Sequence, residues 1–271
     1  MSSWVAVSRT EHANSHWRAR KGYEHAADHQ VLPILFTELA KLVPHYVLGF
    51  IKREDDSFQA VALVGLGGPR NVYVTSDSLW LCDYVPAAIR GFPFSFQYDP
   101  EGKAVLCVRE DHLSDDKDLP RIFTDDGKLD QLAAETLDFI NKCEGSRIQT
   151  DKATADLAAA GVIESWPISI GRGEGQEPLK ISGLHRINEE ALNKLEAEPF
   201  AQMRMSGALP LAYAQLLSMA QMAQLTTRAE YLAKAKQGTA DADLSGLFSN
   251  EDSGSLNFDA FETLNDNTES K

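Results

Sequence analysis

Runs of apolar and β-branched residues dominate the first half of the chain and predict β-structure there. They fill residues 46–51, 59–66, 71–75 and 78–82, and turn-forming residues separate them. A further pair of runs, 94–98 and 103–110, flanks a turn-forming stretch. Short strands joined by short turns are typical of an antiparallel meander. We therefore predict a sheet formed mainly by residues 46–110.

Apolar positions three and four residues apart predict helices on either side of these strands. Thr150 and Asn188 are suitable N-caps, and Gly161 directly follows an expected helix end. Residues 1–30 are polar and predict an extended arm with one short helix, and a hairpin over 166–184 extends or caps the sheet. The predicted fold class is α+β, an antiparallel sheet packed by several helices. The expected helices cover residues 32–43, 129–143, 150–160, 189–195 and 209–235.

The last part of the chain, residues 238–271, has a different composition. It carries eight acidic residues and one basic residue, which is half of the net charge of −14. A polar, acidic segment without periodicity is typical of disorder. We predict one domain over residues 1–237 and a disordered acidic tail over 238–271. The apolar clusters at 244–248 and 256–261 leave two alternatives, a solubilising extension or a motif that orders on a partner.

Charge and segment composition also restrict partners and location. The net negative charge argues against nucleic acid as a partner, because binding to phosphates needs concentrated Lys and Arg. The first residues lack the features of a signal peptide, which predicts a cytoplasmic location. The uncharged stretch 205–227 is long enough to cross a membrane, but it contains Pro210 and several glutamines. We predict that it is a buried helix of a soluble domain and that the chain does not insert into a membrane.

Sequence signals for catalysis are weak. His12 and His16, and likewise His25 and His29, are four residues apart, a spacing that can hold a metal on a helix. No carboxylate accompanies either pair at the spacing of a hydrolytic zinc site. The glycines at 65–68 lack the Lys-Ser/Thr of a phosphate-binding loop. We expect no catalytic residues, no metal and no cofactor, and the sequence leaves open whether a small molecule binds.

Residues 80–94 combine aromatic side chains, an arginine and two prolines that exclude a central strand. Such side chains are enriched at protein-binding hot spots, although they also suit a plug at the open end of a sheet. Four of the five methionines lie within 203–222, where they either pack a core or line a partner groove. The candidate partner-binding residues are Trp80, Tyr84, Arg90, Phe92, Phe94, Met219, Met222, Phe248, Phe258 and Phe261.

Several of these segments together resemble the SapC family of bacterial proteins. The resemblance runs in order over about residues 4–228 and stops before the acidic tail. Gly91 stands where the family often has a second arginine, and Val72 where leucine is common. The matching segments are Glu11-His12, Val31–Pro33 with Glu38, Val61–Leu66, Asn71–Val74, Trp80, Tyr84–Pro86, Arg90–Phe94, Gly183–Asn188 and Ser206–Ser218.

The resemblance implies a setting rather than a reaction. The resemblance implies a link to a bacterial surface layer, from which the family takes its name, and to gene clusters for TonB-dependent outer-membrane receptors and tryptophan-halogenase-like proteins. It brings no established catalytic residues. Three hypotheses follow: a non-enzymatic accessory protein of a nutrient-uptake or cell-envelope system with a protein partner, a surface-layer structural component, or an enzyme of unidentified activity. The second hypothesis requires export to the cell surface without a signal peptide.

Overall fold

The computed structural model describes residues 3–67, 70–99, 101–170 and 178–236. The chain divides into two units, Met1–Thr226 and Thr227–Lys271. The part of the second unit that is described is the continuation of the last helix to Lys236. The predicted tail 238–271 and its apolar clusters lie outside the described residues, and the proposed boundary at 237 stays a prediction.

The elements of the described residues are as follows. The strands are β1 Trp4–Ala6, β2 His16–Trp17, β3 Val31–Pro33, β4 Val47–Lys52, β5 Phe58–Leu63, β6 Phe94–Tyr98, β7 Ala104–Arg109, β8 Leu113–Ser114, β9 Ile163–Ser165, β10 Ile168–Ile170, β11 Leu179–Ile181 and β12 Leu184–Ile187. The helices are α1 Leu39–Leu42, α2 Ala87–Arg90, α3 Gln131–Ala159, α4 Glu189–Asn193, α5 Ala197–Ser206, α6 Ala208–Ser218 and α7 Met222–Lys236. The predicted α+β class is confirmed.

The main sheet has five antiparallel strands in the order β3-β5-β4-β12-β9. Its centre is the hairpin of β4 and β5, in which Gly49 lies opposite Val61. The run Val47–Phe50 is uncharged and buried throughout, as is typical of a strand covered on both faces. Helices α3 and α6 pack against these two central strands.

A second sheet, β1-β7-β6, contains the predicted hairpin of residues 94–109. It is a sheet of its own, so the expectation of one sheet over residues 46–110 was wrong. Its buried residues form a cluster with the first half of α3, to which Ile140 belongs. In that cluster the rings of Trp17 and Phe94 meet edge to face, with centroids 4.9 Å apart. Helix α3 therefore contacts both sheets.

The two helices predicted over 129–143 and 150–160 form one helix of 29 residues. Thr150 was wrongly predicted to be the N-cap of the second helix, because it lies within the continuous helix. The Thr150 hydroxyl instead donates to the carbonyl of Ser146 within the helix. It also accepts a hydrogen bond from the amide of Phe36 at 2.8 Å. The small polar side chains therefore dock the segment before α1 without ending α3.

Two further predictions differ from the structure. The helix expected over 32–43 begins instead as edge strand β3, where Pro33 is tolerated because one side of an edge strand has no partner. The strands expected over 71–75 and 78–82 are reduced to one bridge between Val74 and Trp80. Here the buried Asn71 side chain accepts from the amide of Tyr73 and competes with strand pairing.

The helix expected over 209–235 consists of α6, a 3-10 turn over Met219–Gln221 and α7, while α5 was not predicted. Gly207 joins α5 to α6 with a φ of 83°, a conformation that favours glycine. A Cβ at this position would lie 3.0 Å from the ring of Phe36. Among the described residues, no helix combines the length and apolar character needed to cross a bilayer.

Candidate functional site

A buried carboxylate, that of Glu38, forms hydrogen bonds with the segment from Trp80 to Phe94. Glu38 is 3% exposed and accepts three hydrogen bonds. Its Oε1 accepts from the amide of Leu35 at 2.9 Å. Its Oε2 accepts from the Tyr84 hydroxyl at 2.8 Å and from the Ala87 amide at 2.9 Å. One side chain thus fixes the start of α2 and the ring of Tyr84 against the segment before α1.

Tyr84 carries two cations on its ring. Lys41 Nζ lies 5.5 Å and Arg90 Cζ 5.6 Å from the ring centroid. The Arg90 guanidinium also lies 4.9 Å from the Phe139 ring centroid and donates to the Tyr84 hydroxyl at 3.3 Å. Burial, followed by the charge of Glu38, raises the pKa of Tyr84, so its hydroxyl remains a hydrogen-bond donor at neutral pH.

Trp80 is anchored through its indole nitrogen. Trp80 Nε1 donates to the hydroxyl of the buried Tyr46 at 2.9 Å, and that hydroxyl donates to the carbonyl of Tyr84. Burial raises the pKa of Tyr46 far above its ordinary value. The Trp80 ring also packs on Tyr73 and Tyr23, with centroids 5.8 Å and 5.4 Å away. The partly exposed Trp80 ring is therefore held in place by a polar contact and two aromatic contacts.

Phe92 lies at the centre of a second group of rings. The ring of His25 stacks on it with centroids 4.0 Å apart and planes 7° from parallel. Trp4 and His112 meet it edge to face at 6.4 Å and 4.8 Å. Arg109 lies over the Trp4 ring. We call the partly exposed set Trp4, Trp80, Tyr84, Arg90 and Phe92 the aromatic face.

Among the described residues, only one of the two ring nitrogens of His25 has a hydrogen-bond partner. His25 Nε2 lies 3.2 Å from the carbonyl of Ile89, which requires the proton on Nε2. Within the described part of the chain, His25 Nδ1 is buried and has no hydrogen-bond partner. Burial is the largest cause that lowers the pKa of His25 below its usual 6.5, and Arg20 adds to it. The neutral ring therefore belongs to the folded state.

We expect the free energy of unfolding to decrease as the pH falls from about 7 to about 5. The unfolded chain protonates His25 near 6.5 and the folded chain only at lower pH, so the unfolded state binds more protons in that interval. Urea unfolding at several pH values measures the slope. His25→Gln, which keeps a donor for Ile89, should show a shallower slope than the wild-type protein. Equal slopes in the two proteins would contradict the assignment.

The thiol of Cys143 is influenced by the charges of Arg90 and Glu38. Burial raises its pKa to about 11, Arg90 opposes that change, and Glu38 adds to it. The thiolate is the reactive form of cysteine, so Cys143 is a poor nucleophile at neutral pH. Among residues 3–67, 70–99, 101–170 and 178–236, no group of three His, Cys, Asp or Glu side chains converges as a metal site would require.

The structure brings together only part of the predicted partner-binding set. Trp80, Tyr84, Arg90 and Phe92 lie in the aromatic face. Phe94 is 3% exposed and belongs to the core of the second sheet, so its ring is not available at the surface. Met219, in the turn after α6, and Met222, at the start of α7, are half-buried. Phe248, Phe258 and Phe261 lie outside the described residues.

Glu38, Lys41 and Trp4 were not predicted to have a functional role. Glu38 had a detectable signal, because it lies at helical spacing among Leu35, Leu39 and Leu42 on an otherwise apolar face. An acidic residue in that position needs buried donors. Lys41 and Trp4 contact the segment 84–92 across long distances in sequence, so no local sequence pattern predicts these contacts.

The family comparison decides the affiliation that the sequence motifs suggested. The model of the SapC family matches residues 7–225. The chain belongs to the SapC family. The SapC match covers the aromatic face except Trp4 and ends within the first turn of α7. A search of the curated proteins and a search of the solved structures each returned no match.

SapC segments contribute the side chains that hold this part of the fold together. Glu38 and Tyr84 belong to two of the segments that carry the resemblance, and they share a hydrogen bond. Gln215 and Ser218 belong to a third, and both bind the backbone of strand β4 at Leu48. The motifs that mark the family thus include structural polar contacts as well as the residues of the aromatic face.

Proposed function

We propose that this SapC protein is a non-enzymatic accessory protein of a bacterial nutrient-uptake or cell-envelope system and that it acts by binding another protein. The observation that supports this proposal is the aromatic face. Trp, Tyr and Arg are the side chains most enriched at binding hot spots. In this chain they come from strand β1 and the segment 80–92, where Trp4 meets the Phe92 ring and Arg90 lies over the Tyr84 ring.

Anchoring strengthens the case for binding. Holding an aromatic or arginine side chain in one conformation before contact reduces the entropy lost on association. Glu38 holds Tyr84, Tyr46 holds Trp80, and the stacked His25 ring holds Phe92. A surface with such restrained side chains favours recognition of a protein over a purely solvating role.

The protonation state of the neighbouring groups also supports a binding role. Catalytic nucleophiles and bases usually have pKa values brought towards neutrality. Here burial moves the pKa values of Tyr84 and Cys143 upwards, away from neutrality. These groups therefore stay protonated and act as donors and packing groups.

We expect the double substitution Trp80→Ala with Arg90→Ala to reduce partner capture by at least about tenfold, since a hot-spot side chain contributes about 2 kcal/mol or more. The measurement is affinity capture from the native bacterium, followed by quantification of the envelope and receptor proteins that co-purify. Arg90→Ala alone removes an exposed side chain and should give a smaller loss.

The matched control is Leu132→Ala with Arg204→Ala, which removes an exposed apolar side chain and an exposed arginine elsewhere. It should leave capture unchanged. Circular dichroism and thermal unfolding establish that each variant is folded. Equal capture by the folded double variant and the control would show that the aromatic face does not bind the partner. Co-purifying proteins unrelated to the envelope would refute the proposed setting.

A further inference from the structure

Two exposed cations lie over one ring in this acidic protein. Lys41 from α1 and Arg90 from the end of α2 lie within 5.6 Å of the Tyr84 ring centroid. In the described ranges, no carboxylate oxygen comes within 4.0 Å of the charged nitrogens of Lys41 or Arg90. The chain has 40 acidic and 26 basic residues, so two exposed cations on one ring without such a partner are a distinct basic feature of an acidic molecule.

The carboxylate that belongs to this neighbourhood is already engaged. Glu38 is buried, and its oxygens accept from Leu35, Tyr84 and Ala87. Glu38 therefore binds the Tyr84 hydroxyl from the protein interior and forms no ion pair with Lys41 or Arg90 among the described residues. The solvent-exposed sides of Lys41 and Arg90 are accessible to a ligand.

The geometry of Arg90 suits a carboxylate. Its guanidinium is held by the rings of Tyr84 and Phe139 and uses one donor towards the Tyr84 hydroxyl. A guanidinium has five N–H donors in a planar fork that matches the two oxygens of a carboxylate. Lys41 adds a mobile ammonium group with three donors on the same ring.

We propose that Lys41, Tyr84 and Arg90 form a binding site for a carboxylate group of the partner polypeptide. This inference rests on the proposed function, because it assigns the chemistry that the partner presents to the aromatic face. The carboxylate is bound by Arg90 in bidentate fashion and by Lys41 as a second cation. The partly exposed rings of Tyr84 and Phe139 that flank Arg90 contact apolar groups beside it, which favours a peptide over a free inorganic anion.

The test uses short peptides and therefore does not depend on finding the partner. A capped tripeptide with glutamate between two leucines offers a side-chain carboxylate. The same tripeptide with glutamine offers none when its C-terminus is amidated and a terminal carboxylate when it is free. Inorganic phosphate is titrated at the same ionic strength. The readout is the NMR signal of the Arg90 Nε–H group in the full chain.

We expect a saturable shift with the glutamate peptide or with the free C-terminus, and the arm that binds more tightly identifies the source of the carboxylate. Arg90→Gln is followed through the Trp80 indole N–H signal, and binding should weaken about tenfold or more because the bidentate contact is lost. Lys41→Gln should weaken binding by a smaller factor. Arg204→Gln, at an exposed arginine on α5, should have no effect.

A shift with phosphate but with neither carboxylate peptide would overturn the assignment, as would identical titrations for wild type and Arg90→Gln. The result is separable from the proposed function. If the peptides bind and capture of an envelope partner fails, the site stands and the cellular role falls. If capture depends on Trp80 while the peptides do not bind, the role stands and the carboxylate assignment falls.

Discussion

Replacing Glu38 by alanine should lower the free energy of unfolding by about 3–5 kcal/mol, because each buried donor left without an acceptor costs about 1–3 kcal/mol. The substitution orphans the amides of Leu35 and Ala87 and the hydroxyl of Tyr84. It also releases Tyr84 from the base of the aromatic face. Urea unfolding followed by circular dichroism measures the change directly.

Two further variants test the cause of that loss. Tyr84→Phe removes one of the three hydrogen bonds and should cost about 1–2 kcal/mol. Glu54→Ala, at an exposed acidic residue, should stay within about 0.5 kcal/mol of wild type. A loss below about 1 kcal/mol for Glu38→Ala would mean that water or a rearranged backbone satisfies these donors and that the carboxylate is not the anchor.

Gln215→Met should be the second strongly destabilising change, with an expected loss of about 2–4 kcal/mol. The paired residues of β4 and β12 run from Leu184–Ile51 to His185–Phe50 and stop there. Beyond that point Gln215 inserts from α6: its Oε1 accepts from the Ile187 amide at 2.9 Å, and its Nε2 donates to the Leu48 carbonyl at 3.2 Å. Methionine retains the length of the side chain but supplies neither contact.

Ser218→Ala provides a coupled test. The Ser218 hydroxyl accepts from the Leu48 amide at 2.9 Å and donates to the carbonyl of Gln215. Since both side chains bind Leu48, the losses of the two single variants should not add in the double variant. Gln149→Met, at an exposed position of α3, should change stability by less than about 0.5 kcal/mol. Additive losses at 215 and 218 would show that the two contacts act independently.

Local patterns predicted the parts of the fold that local interactions determine. The hairpin of residues 94–109 and the N-cap Asn188 were correct because a turn or a capping side chain acts within a few residues. Helix α3 was predicted as two helices because Thr150 is a residue type typical of an N-cap. In the structure, tertiary contacts of Ser146 and Thr150 with residues 36 and 37 favour one continuous helix.

The candidate site was predictable only in part for the same physical reason. Trp80, Tyr84, Arg90 and Phe92 are close in sequence, so their composition marked them. Lys41 joins them through a contact across more than 40 residues, and the sequence contains no periodic signal for such a contact. Phe94 shares the composition of its neighbours, yet it points into the core because it begins strand β6 and packs with Trp17 and Val108.

The order of strands in the main sheet has a consequence for synthesis of the protein. β4 and β5 leave the ribosome together, but the other neighbour of β4 is β12, about 130 residues later in the chain. At typical rates of translation, about ten seconds pass between the synthesis of β4 and the synthesis of its partner β12. An uncharged, unpaired strand edge is a template for association between nascent chains. Residues 47–51 are therefore exposed to association between nascent chains until β12 has emerged.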